Sequence, residues 1–130
     1  MQMTPDKKKN KLYIVVPCYN EEQVLGETSK RLKIKCENLI QKGQISKDSK
    51  IVFVDDGSKD RTWKMISELH ETDSLFSGVK LSRNRGHQNA LLAGLTMASE
   101  HADMAISMDA DLQDDINAVD QMIEKYYEGC

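Results

Sequence analysis

The side chains most able to do chemistry in this chain lie in Ala105-Ile106-Ser107-Met108-Asp109-Ala110-Asp111-Leu112-Gln113-Asp114-Asp115, a mostly apolar run that ends abruptly in carboxylates. Read as a strand buried in an α/β sheet, it puts Asp109 and Asp111 at its carboxyl end, where open α/β folds bind ligands. Residues two apart on an extended segment point the same way. Both carboxylates are therefore expected to face one site, with Asp114 and Asp115 adding to the crowding. Like charges that close repel unless a cation or a proton relieves them. A hard divalent cation, Mg²⁺ or Mn²⁺, suits one or two carboxylates together with diphosphate oxygens. The stretch is thus expected to hold a metal-bound nucleotide diphosphate; the plain alternative is a loop of solvated aspartates.

Three other polar clusters join this one. Pro17 to Glu21, Asp55 to Asp60 and Ser82 to His87 each follow an apolar run. Asp55 or Asp56 can accept hydrogen bonds from a base N–H or a ribose hydroxyl, the latter a carboxylate role in other nucleotide-binding folds. Gly57 permits a tight turn with close backbone approach. Arg83, Arg85 and His87 can add positive charge near phosphates, Arg with bidentate geometry. Each has a simpler reading. Asp60 can be a helix cap, Asp56 can merely shape its turn, and Arg85 can be solvated.

The elements that must position these residues follow from hydrophobic pattern. Leu12–Val16 reads as a strand buried on both faces, its ladder ended by Pro17, which has no N–H to donate. Asn20 then caps a helix, with Gln23 in the place a capping box uses and Glu21 and Glu22 in the first turn, where the dipole favours anions. Val24, Leu25, Thr28, Leu32, Cys36, Leu39 and Ile40 form its stripe, and Gly43 stops it. Ile51–Val54 is a second buried strand. Ser58 or Asp60 caps the next helix, whose inner stripe is Trp63, Ile66, Leu69 and His70, with His70 at its boundary. Val79–Leu81 is a short third strand. The following helix, Gln88–Glu100, is small and apolar on most sides and should pack deep. Met104–Met108 is the fourth strand, and Ile116, Val119, Ile123 and Tyr126 mark a last amphipathic helix. Strand then helix, repeated, predicts a parallel sheet with helices on both faces. All the unusual chemistry then gathers at one sheet edge.

Composition bounds the partners. The 130 residues suit one domain. Residues 1–10 read as a flexible basic tail and 11–130 as the domain. A net charge of −3 with few aromatics gives no reason to expect nucleic acid. No apolar run is long enough to cross a bilayer, and the start is polar and lysine-rich rather than signal-like. Cys18, Cys36 and Cys130 cannot all pair within one chain and share no metal-ligand spacing, which points to reduced thiols and a cytoplasmic setting. There is no phosphate-loop motif, no Gly-x-Gly-x-x-Gly after the first strand, no nucleophile elbow and no aspartate ending the first strand. P-loop NTPases, dinucleotide enzymes, α/β-hydrolases and receiver-like phospho-aspartate domains are thereby disfavoured.

Taken in order, Ile14-Val15-Val16-Pro17-Cys18-Tyr19-Asn20-Glu21-Glu22, Val54-Asp55-Asp56-Gly57-Ser58-Lys59-Asp60-Arg61-Thr62, Leu81-Ser82-Arg83-Asn84 and Met108-Asp109-Ala110-Asp111-Leu112-Gln113-Asp114 resemble the family 2 glycosyltransferases. The nearest resemblance is to polyprenyl-phosphate glycosyltransferases of the dolichyl-phosphate mannosyltransferase and bactoprenol glucosyltransferase kind. It runs from about Lys11 onward. It implies a GT-A fold, a nucleotide-sugar donor (a UDP-sugar first, GDP-mannose second), inversion at the anomeric carbon and a divalent metal. It implies Pro17, Tyr19, Asn20 and Glu21 around the nucleotide, Asp55 on the base with Asp56 beside it, and Arg83, Asn84 and Gly86 flanking the nucleotide or diphosphate. It further implies Asp109 on ribose or metal, Asp111 on metal, and Gln113 next to the site. Arg85 stands where the family often has an aromatic residue, and Asp115 where it often has proline.

Such proteins continue into an acceptor site and often membrane helices, so the chain reads as a donor-binding part. The expected acceptor is a polyprenyl phosphate at the inner face of the membrane; the expected partners include a possible second copy of the chain. A polysaccharide or protein acceptor, and a non-catalytic nucleotide-sugar-binding module, are the alternatives. No general base is identifiable.

Overall fold

The structure is a computed structural model that describes residues 10–111 and 116–128. Four strands, β1 (Leu12–Cys18), β2 (Lys50–Asp55), β3 (Phe76–Lys80) and β4 (Met104–Ser107), alternate with four helices, α1 (Leu25–Gln41), α2 (Thr62–Thr72), α3 (His87–His101) and α4 (Ala118–Tyr127). The sheet is parallel with spatial order β3-β2-β1-β4. The chain steps outward from β1 to β2 to β3, then returns across β1 to add β4 on the other side. Right-handed crossovers put helices of opposite stepping directions on opposite faces. Accordingly α1, α2 and α4 share one face with Ile14, Val16, Ile51 and Phe53, while α3 covers Val15, Val52 and Val54 on the other.

β1 and β2 are central and their β-branched runs are buried on both faces, as the unbroken apolar pattern requires. β4 differs from the sequence expectation. It is an edge strand whose Ala105 and Ser107 are exposed, and its outer edge has no neighbouring strand among the described residues. β3 begins at Phe76, earlier than Val79, because Gly78 lets the strand pass under α2: a Cβ there would lie 2.5 Å from Ile66 Cγ2.

Two further corrections bear on the site. Pro17 does not end β1, which continues to Cys18 in register with Asp55. Alternation along the strand turns Val15 toward β4, where its carbonyl accepts from Met108, and Cys18 toward β2, where its carbonyl accepts from Asp56. Pro17 therefore faces the β4 side, beyond Ser107, where that ladder has already ended, so its missing N–H costs no sheet bond. Asn20 does not cap a helix either. It sits at φ 52°, and α1 begins five residues later, with no side-chain cap.

α1 buries Leu25, Thr28, Ser29, Leu32, Cys36 and Leu39. Each fully buried leucine there contributes roughly 1.5–3 kcal/mol. It ends as expected at Gly43, φ 72°, whose N–H donates to the Ile40 carbonyl. α3 is less deep than its composition suggests. Only Ala90, Gly94 and Ala98 are buried, one small-residue stripe lying on the sheet, and Leu92 is 62% exposed. His70 lies at the α2 boundary, its Nδ1 bonded to the Phe76 carbonyl at 2.8 Å. Asn10 belongs to the folded unit: its carbonyl accepts from Ser46 and its amide donates to Tyr127 Oη. Cys18 and Cys36 are buried free thiols. Among the described residues no helix is long and apolar enough to cross a membrane.

Candidate functional site

Where the order reverses, β1 and β4 part at their carboxyl ends, and ligands of open α/β sheets bind in such crevices. A cavity of about 490 Å³ opens there. It is lined from β1 and its loop by Pro17, Cys18, Tyr19 and Glu21, from the loop after β2 by Asp56, and from the loop after β4 by Asp109, Ala110 and Asp111. Asn84, Gly86, His87 and Ala90 line it from the β3–α3 connection and the start of α3. A second, polar cavity of about 410 Å³ adjoins it and shares Glu21 and Asp111.

Most residues singled out from sequence meet here, and some do not. Pro17, Tyr19, Glu21, Asp56, Asn84, Gly86, Asp109 and Asp111 line the main cavity, and Asn20 lines the second. Arg83 lines neither; its backbone is packed beneath Gly57, and the cavity is lined instead by Asn84, Gly86 and His87. Gln113, with Asp114 and Asp115, lies outside the described residues. Asp55 is fully buried and lines neither cavity. One of its oxygens accepts from Ser58 N–H at 3.3 Å, and the other, Oδ2, has no hydrogen-bond partner among the described residues. An unsatisfied buried carboxylate oxygen is costly and asks for a donor.

Three loops are locked together by short polar contacts. Asn20 N–H donates to Ser58 Oγ at 2.8 Å, and Asn20 Oδ1 accepts from Lys59 N–H at 2.8 Å. Glu21 N–H donates to Thr62 Oγ1 at 2.8 Å and Glu22 N–H to Asp60 Oδ2 at 3.3 Å. Asp60 is thus a tie between loops as well as a turn residue bonded to Thr62. Asp56, 4% exposed, accepts from Arg85 N–H at 2.6 Å. Gly57 stands at φ +74°, and a Cβ there would lie 2.4 Å from Asn84 N. Only glycine allows that approach. Ser58 and Thr62 were not singled out as site residues in the sequence. Ser58 looks like a cap candidate and Thr62 carries no signal of its own, and only the fold reveals that both hydroxyls serve the neighbouring loop.

The charge at the cavity mouth is negative on one side. Asp109 and Asp111 lie beyond the end of β4, Asp111 in a turn, so strand alternation is not what gathers them. Glu21 is held above its ordinary value by burial, then by Asp111, Asp60 and Asp109. Burial acts to raise Asp60 too, but hydrogen bonds from Thr62 and Glu22 hold it low and ionised. Opposite stands the start of α3, whose N-cap Gly86 (φ 92°) carries no side-chain cap. The N–H groups and dipole of a helix start favour an anion. The Cys18 thiol is pushed far up by burial, and further by Glu21 and Asp55, so it is no nucleophile at neutral pH.

Whether these residues fit a metal follows from the donor set. Among the described residues no three His, Cys, Asp or Glu side chains gather tightly enough to hold an ion by themselves. Asp109 and Asp111 fit the mode in which one or two carboxylates share a hard cation with phosphate oxygens.

The sequence profile of "Glycosyl transferase family 2" matches residues 13–130. The chain is 53% identical over 119 residues to "Uncharacterized glycosyltransferase YkoT" of Bacillus subtilis (strain 168), covering 92% of this chain and 35% of that protein. It is 35% identical over 128 residues to "Undecaprenyl-phosphate 4-deoxy-4-formamido-L-arabinose transferase" of Enterobacter sp. (strain 638), covering 98% of this chain and 37% of that protein. The chain thus spans about a third of the length of the curated relatives it matches. Two solved structures share the fold. S. aureus TarS 1-349 in complex with UDP-GlcNAc has a TM-score of 0.63 at 20% identity, over 90% of this chain and 32% of that one. The mannosyltransferase PcManGT from Pyrobaculum calidifontis, in complex with GDP-Man and Mn²⁺, has a TM-score of 0.60 at 23% identity, over 84% and 30%. The fold is GT-A, and the chain belongs to glycosyl transferase family 2.

Proposed function

We propose that this chain is the nucleotide-sugar-binding part of an inverting glycosyltransferase whose acceptor is a polyprenyl phosphate. The observation that carries the reading is the crevice between β1 and β4. It joins a carboxylate pair, Asp109 and Asp111, to an uncapped helix start at Gly86–His87 across one cavity. A diphosphate suits that arrangement, with its oxygens between the helix N–H groups and a cation.

The residues divide the work. Asp55, through its unsatisfied Oδ2, accepts a base N–H, with Asp56 holding the neighbouring loop against it. Pro17, Tyr19, Asn20 and Glu21 surround the nucleoside, and Asn84 and Gly86 flank the diphosphate. Arg83 supports that segment from beneath Gly57. Asp109 meets ribose or metal, Asp111 the metal, and Gln113 stands beside them. Asp111 and Asp109 would hold Mg²⁺ or Mn²⁺, which when bound would supply charge to neutralise the diphosphate and to stabilise it as it leaves. An acceptor phosphate is already an anion and attacks the anomeric carbon without a general base. A polyprenyl phosphate acceptor is supported by the Enterobacter relative, which is named for undecaprenyl phosphate; work at the inner membrane face is proposed with it. The bound nucleotide sugars of the two solved structures support a UDP- or GDP-sugar donor.

Calorimetric titration with UDP and with GDP, each with and without Mn²⁺, tests the reading. Metal-dependent binding of one nucleotide is expected, UDP first. Asp111→Ala should abolish the metal-dependent part; unchanged Mn²⁺-dependent affinity in that variant contradicts the assignment.

A further inference from the structure

The Asp109–Ala110–Asp111 turn receives little support from the strand that leads to it. β4 is four residues long and ends at Ser107. The turn is held instead from α1. Thr28, in the first turn of that helix and 2% exposed, donates from Oγ1 to the Ala110 carbonyl at 2.5 Å. That carbonyl lies between the two aspartates, and Ala110 is itself buried. Two helical turns on, Lys35 Nζ donates to Asn117 Oδ1 at 3.1 Å and to Asp120 Oδ2 at 2.8 Å. Residues seven apart lie on one helix face. The loop that carries the acidic residues is thus fastened to one face of α1 before and after residues 112–115.

Thr28 sits in a stripe otherwise made of Leu25, Ser29, Leu32, Cys36 and Leu39. An apolar residue of the same shape would fill this position equally well. The hydroxyl is useful only for the bond it makes, and a buried hydroxyl without a bond is penalised. We propose that Thr28 is a positioning residue for the metal–nucleotide site. By fixing the carbonyl between Asp109 and Asp111 it sets how their carboxylates meet a divalent cation. The inference rests on the metal-dependent nucleotide binding proposed above. Groups that orient metal ligands from behind are typically worth on the order of 10- to 100-fold in metal affinity.

The test compares the chain with Thr28→Val, which keeps the shape and removes the hydroxyl, and Thr28→Ser, which keeps the hydroxyl. Mn²⁺ affinity is read by electron paramagnetic resonance in the presence of UDP and, separately, of GDP. Nucleotide affinity without metal and thermal unfolding are read in parallel. Thr28→Val is expected to weaken Mn²⁺ binding by about 10-fold or more while leaving metal-free nucleotide affinity unchanged, and Thr28→Ser is expected to restore Mn²⁺ binding. A folded Thr28→Val protein with unaltered Mn²⁺ affinity overturns the proposal, as does an equal loss with and without metal, which would mark a purely structural bond. If valine prevents folding, Thr28→Cys replaces it, with the same pair of outcomes. Absence of Mn²⁺-dependent binding in the unaltered chain would instead remove the functional reading itself, and this inference with it.

Discussion

Glu21 shows how one residue reports on its neighbours. Its carboxyl titrates above the ordinary 4.5 because it is partly buried and faces Asp111, Asp60 and Asp109. The folded protein therefore keeps this proton to higher pH than the unfolded chain does. Stability must fall as pH rises through the interval above the ordinary value, and the cost is complete once Glu21 is ionised in the folded state. Glu21→Gln should raise the unfolding temperature at neutral pH, and the gain should disappear below the ordinary carboxylate range. A series of melting curves against pH checks this; equal gains at every pH would contradict it. Sequence pattern brought Glu21, Asp56, Asp109 and Asp111 into one site because residues at strand ends share a sheet edge. It misassigned Asn20 and Pro17 because each was judged by local preference. Asn20 answers to Ser58 and Lys59 on another loop, and Pro17 is tolerated only because β4 ends before reaching it.

At the scale of elements, the alternation of apolar runs with amphipathic stretches was enough to read every strand and helix. Boundaries moved where a neighbour decided them, as at β3, which starts early because Gly78 passes under Ile66 and Trp63. α3 lies less deep than its composition suggests because small residues resemble buried ones, whereas only Ala90, Gly94 and Ala98 are buried and Leu91, Leu95 and Met97 pack beside them while partly exposed. Gly94 makes the contact with the sheet possible: a Cβ would lie 2.4 Å from Val15 Cγ1 and 2.8 Å from Val54 Cγ2. Gly94→Ala gains about 1 kcal/mol of helix propensity but presses on two fully buried valines, which costs about 1–3 kcal/mol. A net loss is expected. Gly26, near the start of α1, has nothing within 4 Å of a Cβ, so Gly26→Ala should stabilise by up to about 1 kcal/mol. Urea unfolding midpoints that move in the same direction for both variants would contradict this view of α3.

For the whole molecule, the decisive feature is the reversal that puts β4 beside β1. It was not legible in the sequence, because strand order depends on which faces the helices choose. Parallel pairing and the gathering of polar loops at one edge were legible, since both follow from strand–helix alternation. The reversal turns four separate loops into one crevice with Asp109 and Asp111 on one side and the start of α3 on the other.

The claim that a nucleotide diphosphate and its cation occupy that crevice is tested most directly by nuclear magnetic resonance of the chain with Mn²⁺ and UDP, and in parallel with Mn²⁺ and GDP. The bound paramagnetic ion is expected to broaden the amide signals of Tyr19, Glu21, His87, Asp109 and Asp111. Signals of Ser49, Ser74 and Leu75, at the opposite edge of the sheet, should stay sharp. Broadening centred on that opposite edge, or none with either nucleotide, would contradict the account.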